Sequence, residues 1–117
     1  MAHRIDGRKL GRKTGPRMAL YKNLTVAVLR YEQVKTTEAR AKEIRGRVER
    51  MITLAKEDSL TARRRVIAEM PDEPLVIDKL FKEIAPKYAD RTSGYTRLVR
   101  IGQRNGDAAT IVQIELV

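Results

Sequence analysis

Seven cationic side chains crowd the first 22 residues: Arg4, Arg8, Lys9, Arg12, Lys13, Arg17 and Lys22, with Asp6 the sole acid among them. Residues of this type at this spacing suit the neutralisation of a polyanion. Guanidinium grips phosphate through two donors and stacks on a base, while ammonium acts as a point charge. Each phosphate neutralised also releases condensed counterions, so the interaction gains entropy and depends on salt. Gly7, Gly11 and Gly15 interrupt the cations and let the backbone approach a polyanion closely. An anionic membrane surface would attract the same charge. A helix lying in that surface needs a broad apolar face, however, and Ile5 and Leu10 do not supply one. Nucleic acid is the expected partner.

Further cations lie in the rest of the chain. Arg63, Arg64 and Arg65 are consecutive, and three neighbours on a helix span about 200°. At most two can meet phosphate while the third pairs with an acid or faces water, and Arg64 is the candidate contact. Arg97 and Arg100 differ in parity, so a regular strand points them to opposite faces, and only one joins a flat binding surface. Arg104 falls at a turn and is expected to reach outward. Tyr95 has a ring able to stack on a base, although a tyrosine that opens a strand more commonly serves the core.

Catalytic chemistry finds little material. His3 is the single histidine and there is no cysteine, which excludes disulfides, zinc fingers, iron–sulfur ligation, thiol nucleophiles and any histidine-built metal site. No stretch reads G-x-x-x-x-G-K-[ST], the phosphate-cradling loop. The acids beyond the arm sit close to basic residues, as solvated ion pairs do. Neither an enzyme nor a cofactor is expected. The longest apolar run, Leu24 to Leu29, falls well short of the ~20 residues a membrane span needs. The basic N-terminus lacks the apolar segment of a signal peptide. A soluble cytoplasmic protein is the expectation.

These residues need elements to hold them. The chain has 117 residues, 42% of them hydrophobic, with a formal charge of +10. That apolar share suits one folded domain. The charge is uneven: residues 1–22 carry +6, whereas residues 23–117 hold 18 basic and 14 acidic side chains, a balance of +4. The organisation expected is a flexible basic arm over residues 1–16 and a single domain over residues 17–117. Pro16 suits the opening of a helix, whose apolar residues Met18, Tyr21, Leu24, Val28 and Tyr31 follow at helical spacing. Val34 to Thr37 reads as a short strand, and Thr36 or Thr37 as the cap of a long helix. That helix buries Ala41, Ile44, Val48, Met51, Ile52 and Ala55 on one face, with Glu38–Lys42 and Glu43–Arg47 paired one turn apart. Gly46, in its middle, either admits another backbone or is simply tolerated.

Asp58 or Ser59 caps a third helix, which runs to about Met70 and buries Ala62, Val66 and Ile67. Pro71-Asp72-Glu73-Pro74 is a break. A fourth helix carries Val76, Leu80, Phe81 and Ile84 and stops near Pro86. The last quarter turns β-branched: Tyr95 to Ile101 and Ala109 to Val117 form a hairpin, with Asn105-Gly106 expected to supply positive-φ turn positions. The class is α+β: helix, short strand, three helices, then a C-terminal hairpin forming a small sheet packed on the helices.

Laid out in this order, the chain resembles large-subunit ribosomal protein seventeen of bacteria along essentially its full length. The residues that carry the likeness open with His3, Gly7-Arg8, Leu10 and Arg12. Lys35-Thr36-Thr37, Ala41-Lys42-Glu43, Leu54-Ala55-Lys56 and Arg64-Arg65 follow. Leu80-Phe81, Glu83 and Ala85-Pro86 continue the series, which closes on Gly94-Tyr95-Thr96-Arg97, Gly106-Asp107 and Ile114-Glu115-Leu116-Val117. The resemblance implies a structural constituent of the large ribosomal subunit that contacts its ribosomal RNA near the nascent-peptide tunnel exit, beside other ribosomal proteins. It also implies RNA contacts at Arg4, Arg8, Arg12 and Arg17, at Thr36 and Thr37 on a strand-to-helix junction, and at Arg97. With His3, Lys9, Lys13, Lys22, Lys35, Arg64 and Arg104 these make up the candidate RNA-binding set. Ala2, Gly11 and Thr14-Gly15-Pro16 depart from the family pattern and alter the arm's path more than its charge. The rival reading, a small basic DNA-binding or nucleoid-associated protein, calls for a recognition helix with clustered polar readers or a dimer seam. The helices here present balanced charge instead.

Overall fold

One threonine joins the first strand to the longest helix. In the computed structural model, which describes residues 14–117, helix α1 (Thr14–Tyr31) leads into strand β1 (Gln33–Thr37), and α2 (Glu38–Glu57) begins at once. The Thr37 side chain accepts a hydrogen bond from the Arg40 amide at 3.5 Å, so Thr37, not Thr36, is the cap. The expected stripe of α2 is borne out in full: Ala41, Ile44, Val48, Met51, Ile52 and Ala55 are all buried. Asp58 ends this helix in the left-handed region at φ 50°, and its amide donates to the Leu54 carbonyl. Ser59 starts the next, its hydroxyl accepting from the Ala62 amide at 3.0 Å. The two adjacent polar residues divide the work of stopping and starting.

Helix α1 departs from expectation at both ends. Among the described residues it is already helical at Thr14, so Pro16 does not open it. At the other end Tyr31 is 65% exposed, with the Arg30 guanidinium 5.9 Å from its ring centre, and Leu29 is buried in its stead. A ring with a polar tip tolerates that surface position better than a leucine does.

Helix α3 (Leu60–Glu69) packs on α2 through Ala62 and Val66. Ile67, expected inside, is 49% exposed, and Met70 is buried instead. Residues 62, 66 and 70 fall on one narrow stripe, and a helix packed on one side buries little more. Helix α4 (Pro74–Lys79) does not run straight to Pro86. It widens through a π turn (Leu80–Ile84), in which the Ala85 amide bonds to the Leu80 carbonyl five residues back, and finishes with α5 (Ala85–Lys87). Pro86 has no N–H and its ring crowds the carbonyl one turn before it; a wider turn makes room. Val76, Leu80 and Ile84 are buried and Phe81 is half-buried.

Strands β2 (Thr96–Gln103) and β3 (Thr110–Leu116) form the hairpin, and β1 pairs with the free edge of β3, giving an antiparallel sheet of order β1-β3-β2. Val34, Leu98 and Ile114 stand in register, and with Val112 and Leu116 they turn one face of the sheet onto the helices. The expected α+β class is the observed one. The turn differs. Asn105 and Gly106 do not take positive φ; Ala108 does, at 58°. The Ala108 amide bonds to the Arg104 carbonyl at 3.0 Å and the Arg104 amide to the Ala109 carbonyl at 2.8 Å. A loop closed this way is one helical turn, which needs a left-handed residue only where it re-enters the strand.

Tyr95 is fully buried, its ring centre 5.2 Å from that of Tyr88. Its hydroxyl donates to the Thr92 carbonyl at 3.0 Å and receives the Lys56 ammonium at 3.1 Å. Burial alone would raise this phenol. The hydrogen bonds to Thr53 and Lys56, with the Lys56 charge, outweigh burial and hold it below its ordinary value. Tyr95 is core and does not offer a stacking face.

Gly46 is exposed, and a Cβ added there meets nothing within 4 Å. Among the described residues no backbone approaches it, so it is a tolerated glycine. Gly46→Ala should stabilise the protein by about 0.5–1 kcal/mol through helix propensity and a less disordered unfolded chain. Thermal unfolding shows this as a rise of a few degrees; a fall would mean the site is less open than it looks.

Candidate nucleic-acid interface

Most cations of the body are already matched. Arg30 meets Glu73, Lys79 meets Glu32 at 3.2 Å, Lys82 meets Asp78 at 3.1 Å and Lys42 reaches Glu38 at 4.0 Å. Of the three consecutive arginines, Arg63 pairs with Asp58 at 2.8 Å and covers the Phe81 ring at 4.4 Å. Arg64 and Arg65 stay exposed with no ion pair among the described residues. Two outward and one paired is what the helical geometry requires. Such surface pairs stabilise by about 0–1 kcal/mol each. Their larger consequence is that they leave little net field around themselves.

Unmatched cations gather at a groove between α1, α2 and α3, with a volume of about 320 Å³. Lys22 comes from α1, Arg47 and Arg50 from α2 and Arg65 from α3, and Glu69 is the one acid among the described residues that line it. None of the four cations has an ion pair among the described residues. Arg47 is held in place by apolar groups: its guanidinium lies 5.1 Å from the Tyr21 ring centre and 3.7 Å from the Met18 sulfur. Burial, helped by the Glu43 charge, pushes the Tyr21 phenol up, while Arg17, Arg47 and Arg40 pull it the other way. Arg17 and Arg40 therefore lie within electrostatic reach of the ring that Arg47 covers.

The candidate residues fare unevenly. His3, Arg4, Arg8, Lys9, Arg12 and Lys13 lie outside the described residues. Arg17 is 6% exposed, packed into the body at the start of α1 rather than presented to solvent. Lys22 stands on the groove. Lys35 is exposed on the outer face of the sheet, whereas Thr36 is half-buried opposite Val112 and Thr37 spends its hydroxyl on the cap. Arg97 and Arg100 point to opposite faces, as parity requires, and both are paired: Arg97 with Glu115 through Nε at 2.9 Å, Arg100 with Glu38 at 3.0 Å. The Arg97 hydrogen bond, with one from Gln113, lowers the Glu115 carboxyl below its usual range.

Arg104 does not reach outward as expected. It folds back on Asp107, three residues on, through Nε at 3.1 Å and Nη2 at 2.6 Å. The Arg104 hydrogen bond, with one from the Ala109 amide, lowers the Asp107 carboxyl to about 2. A depressed carboxylate contributes stability that is present above its unfolded pKa and lost as pH falls through the folded one. The loop should therefore stay locked to about pH 2. A carbon-detected titration of Asp107 should give a midpoint well below the ordinary 3.8; a midpoint at or above that value would show Arg104 released in solution.

Sequence reasoning missed Arg47, Arg50 and Arg65 as a group. One signal was available: neither residue four away from Arg50 on α2 is an acid, being Gly46 and Leu54. Only the packing of α1 and α3 beside α2 adds the other cations. Among the described residues no cluster of acids or histidine could hold a metal, and no helix is long and apolar enough to cross a membrane.

The sequence model of the family described as "Ribosomal protein L17" matches residues 20–117. The large ribosomal subunit protein bL17 of Desulfitobacterium hafniense is 54% identical over 110 residues, covering 94% of this chain and 97% of its own. That of Trichlorobacter lovleyi is 48% identical over 117 residues, 100% of this chain and 94% of the relative. Its counterpart from Dehalococcoides mccartyi is 44% identical over the same 117 residues and covers 99% of the relative. The last two alignments take in the basic arm as well as the body. With identity this high from end to end, the chain belongs to the ribosomal protein L17 family.

Proposed function

We propose that this chain is a structural, non-catalytic constituent of the large ribosomal subunit that binds large-subunit ribosomal RNA, in the cytoplasm. The observation that carries the reading is full-length similarity, at 44–54% identity, to proteins named for the large ribosomal subunit. The physical picture agrees with it. An arm with five basic residues and one acid over residues 1–16 precedes a body in which acids pair with many of the cations, and four cations without an ion pair among the described residues line one groove. RNA structure is commonly read through shape, backbone and splayed bases, and a folded body with a cationic extension suits that. The family resemblance adds a position near the nascent-peptide tunnel exit, among neighbouring ribosomal proteins. The test is co-sedimentation with large ribosomal subunits that survives moderate salt. Duplex DNA that competes for the protein as well as ribosomal RNA does, at matched salt, would replace this reading with that of a nucleoid protein.

A further inference from the structure

The groove between α1, α2 and α3 is ill-suited to a simple phosphate track. Its walls are cationic, but its floor is Met51, Leu54 and Met70, with Met51 and Met70 only 5% and 4% exposed. The one hydroxyl in it, that of Thr25, already donates to the Tyr21 carbonyl at 2.8 Å. A phosphate placed on that floor would find no donor. An aromatic ring would find thioethers, whose polarisable sulfur makes favourable contacts with rings, and guanidinium planes beside it that stack on bases. The volume of about 320 Å³ lies at the small end of ligand pockets, whose range is about 300–1,000 Å³. It holds one planar group, not a helix. The arm is a poor occupant, because it is cationic as the walls are.

We propose that this groove receives a single unstacked nucleotide, its base on the methionine and leucine floor and its flanking phosphates against Arg50, Arg65 and Lys22. This deepens the RNA-binding reading above and rests on it. Three of the four cations are arginine, the side chain able both to stack and to bind phosphate bidentately. Arg47, fixed on Tyr21, is oriented before any ligand arrives. An acidic peptide with one apolar side chain meets the same charge, but it has no use for guanidinium planes.

Two RNA hairpins, identical except that one carries a single bulged 2-aminopurine, test this with the full-length protein. The bulged probe should bind about tenfold tighter, within the range base stacking provides, and its fluorescence should change on binding. Ala68 lines the groove at an exposed helical position, so Ala68→Leu should fill the groove without unfolding the protein, as a thermal melt verifies. It should abolish the preference and leave the paired hairpin unaffected. Arg50→Gln with Arg65→Gln should weaken both probes and flatten the salt slope by about two. Equal affinity for the two hairpins, with ribosomal RNA still bound, overturns the groove assignment alone. Failure to bind ribosomal RNA at all overturns the reading beneath it. A glutamate-rich peptide with a central phenylalanine that binds wild type, is lost in Ala68→Leu and coincides with no hairpin preference assigns the groove to protein instead.

Discussion

Removing residues 1–13 should lower affinity for large-subunit ribosomal RNA by about two orders of magnitude and flatten the salt dependence by about four logarithmic units per decade. The deletion takes away Arg4, Arg8, Lys9, Arg12 and Lys13 and keeps every described residue of α1, Thr14–Tyr31. Each phosphate contact contributes about 0.7–0.9 to the slope, so five lost contacts account for the change. The informative control removes a similar charge from the body, by replacing Arg30, Lys42, Arg63, Lys82 and Lys87 with glutamine. Each of these is ion-paired and none belongs to the candidate RNA-binding set. The control should shift the slope by less than about two. If it weakens binding as much as the deletion, affinity tracks net charge and the arm has no special part. Unchanged affinity and slope in the deletion would remove the arm from the interface.

Where one helix face decided the outcome, the sequence was easy to read. The six buried residues of α2 follow from spacing alone, because a helix against a sheet and a neighbouring helix buries a stripe set by its own period. The cap residues were legible to within one position: the sequence offers Thr36 or Thr37 and Asp58 or Ser59, and backbone geometry chooses. What escaped depends on partners distant in sequence. Ile67 has the right spacing for the core but sits beyond the edge of the α2 contact. Arg104 looked free until the loop closed as one helical turn and brought Asp107 to it. The same holds for the candidate interface. The arm announces itself by composition, whereas the groove exists only because Lys22, Arg50 and Arg65 converge from three helices. Counting charge in sequence order cannot show which cations remain unpaired, since Arg100 finds its acid at Glu38, 62 residues away.

Tyr95 should prove the most costly single residue to truncate. It is fully buried, and its ring meets Tyr88 while its hydroxyl joins Thr92, Thr53 and Lys56. Tyr95→Ala should cost about 3–5 kcal/mol, as large aromatic truncations in cores do. Against a total stability of about 5–15 kcal/mol for a domain this size, that leaves the protein marginal or unfolded at body temperature. Tyr95→Phe keeps the ring and isolates the hydroxyl, at about 1–2 kcal/mol, because the Lys56 ammonium and the Thr92 carbonyl each lose a buried partner. Lys56 also lies 5.0 Å from the ring centre, so Lys56→Met should cost less in the Tyr95→Phe background than in wild type, a coupling of about 1 kcal/mol. Urea unfolding of wild type, the three single variants and the double variant measures all three quantities. A Tyr95→Ala loss below about 1 kcal/mol would place the ring outside the core and reopen its role as a stacking platform, while additive losses would mean that Lys56 and Tyr95 stabilise the β2 junction independently.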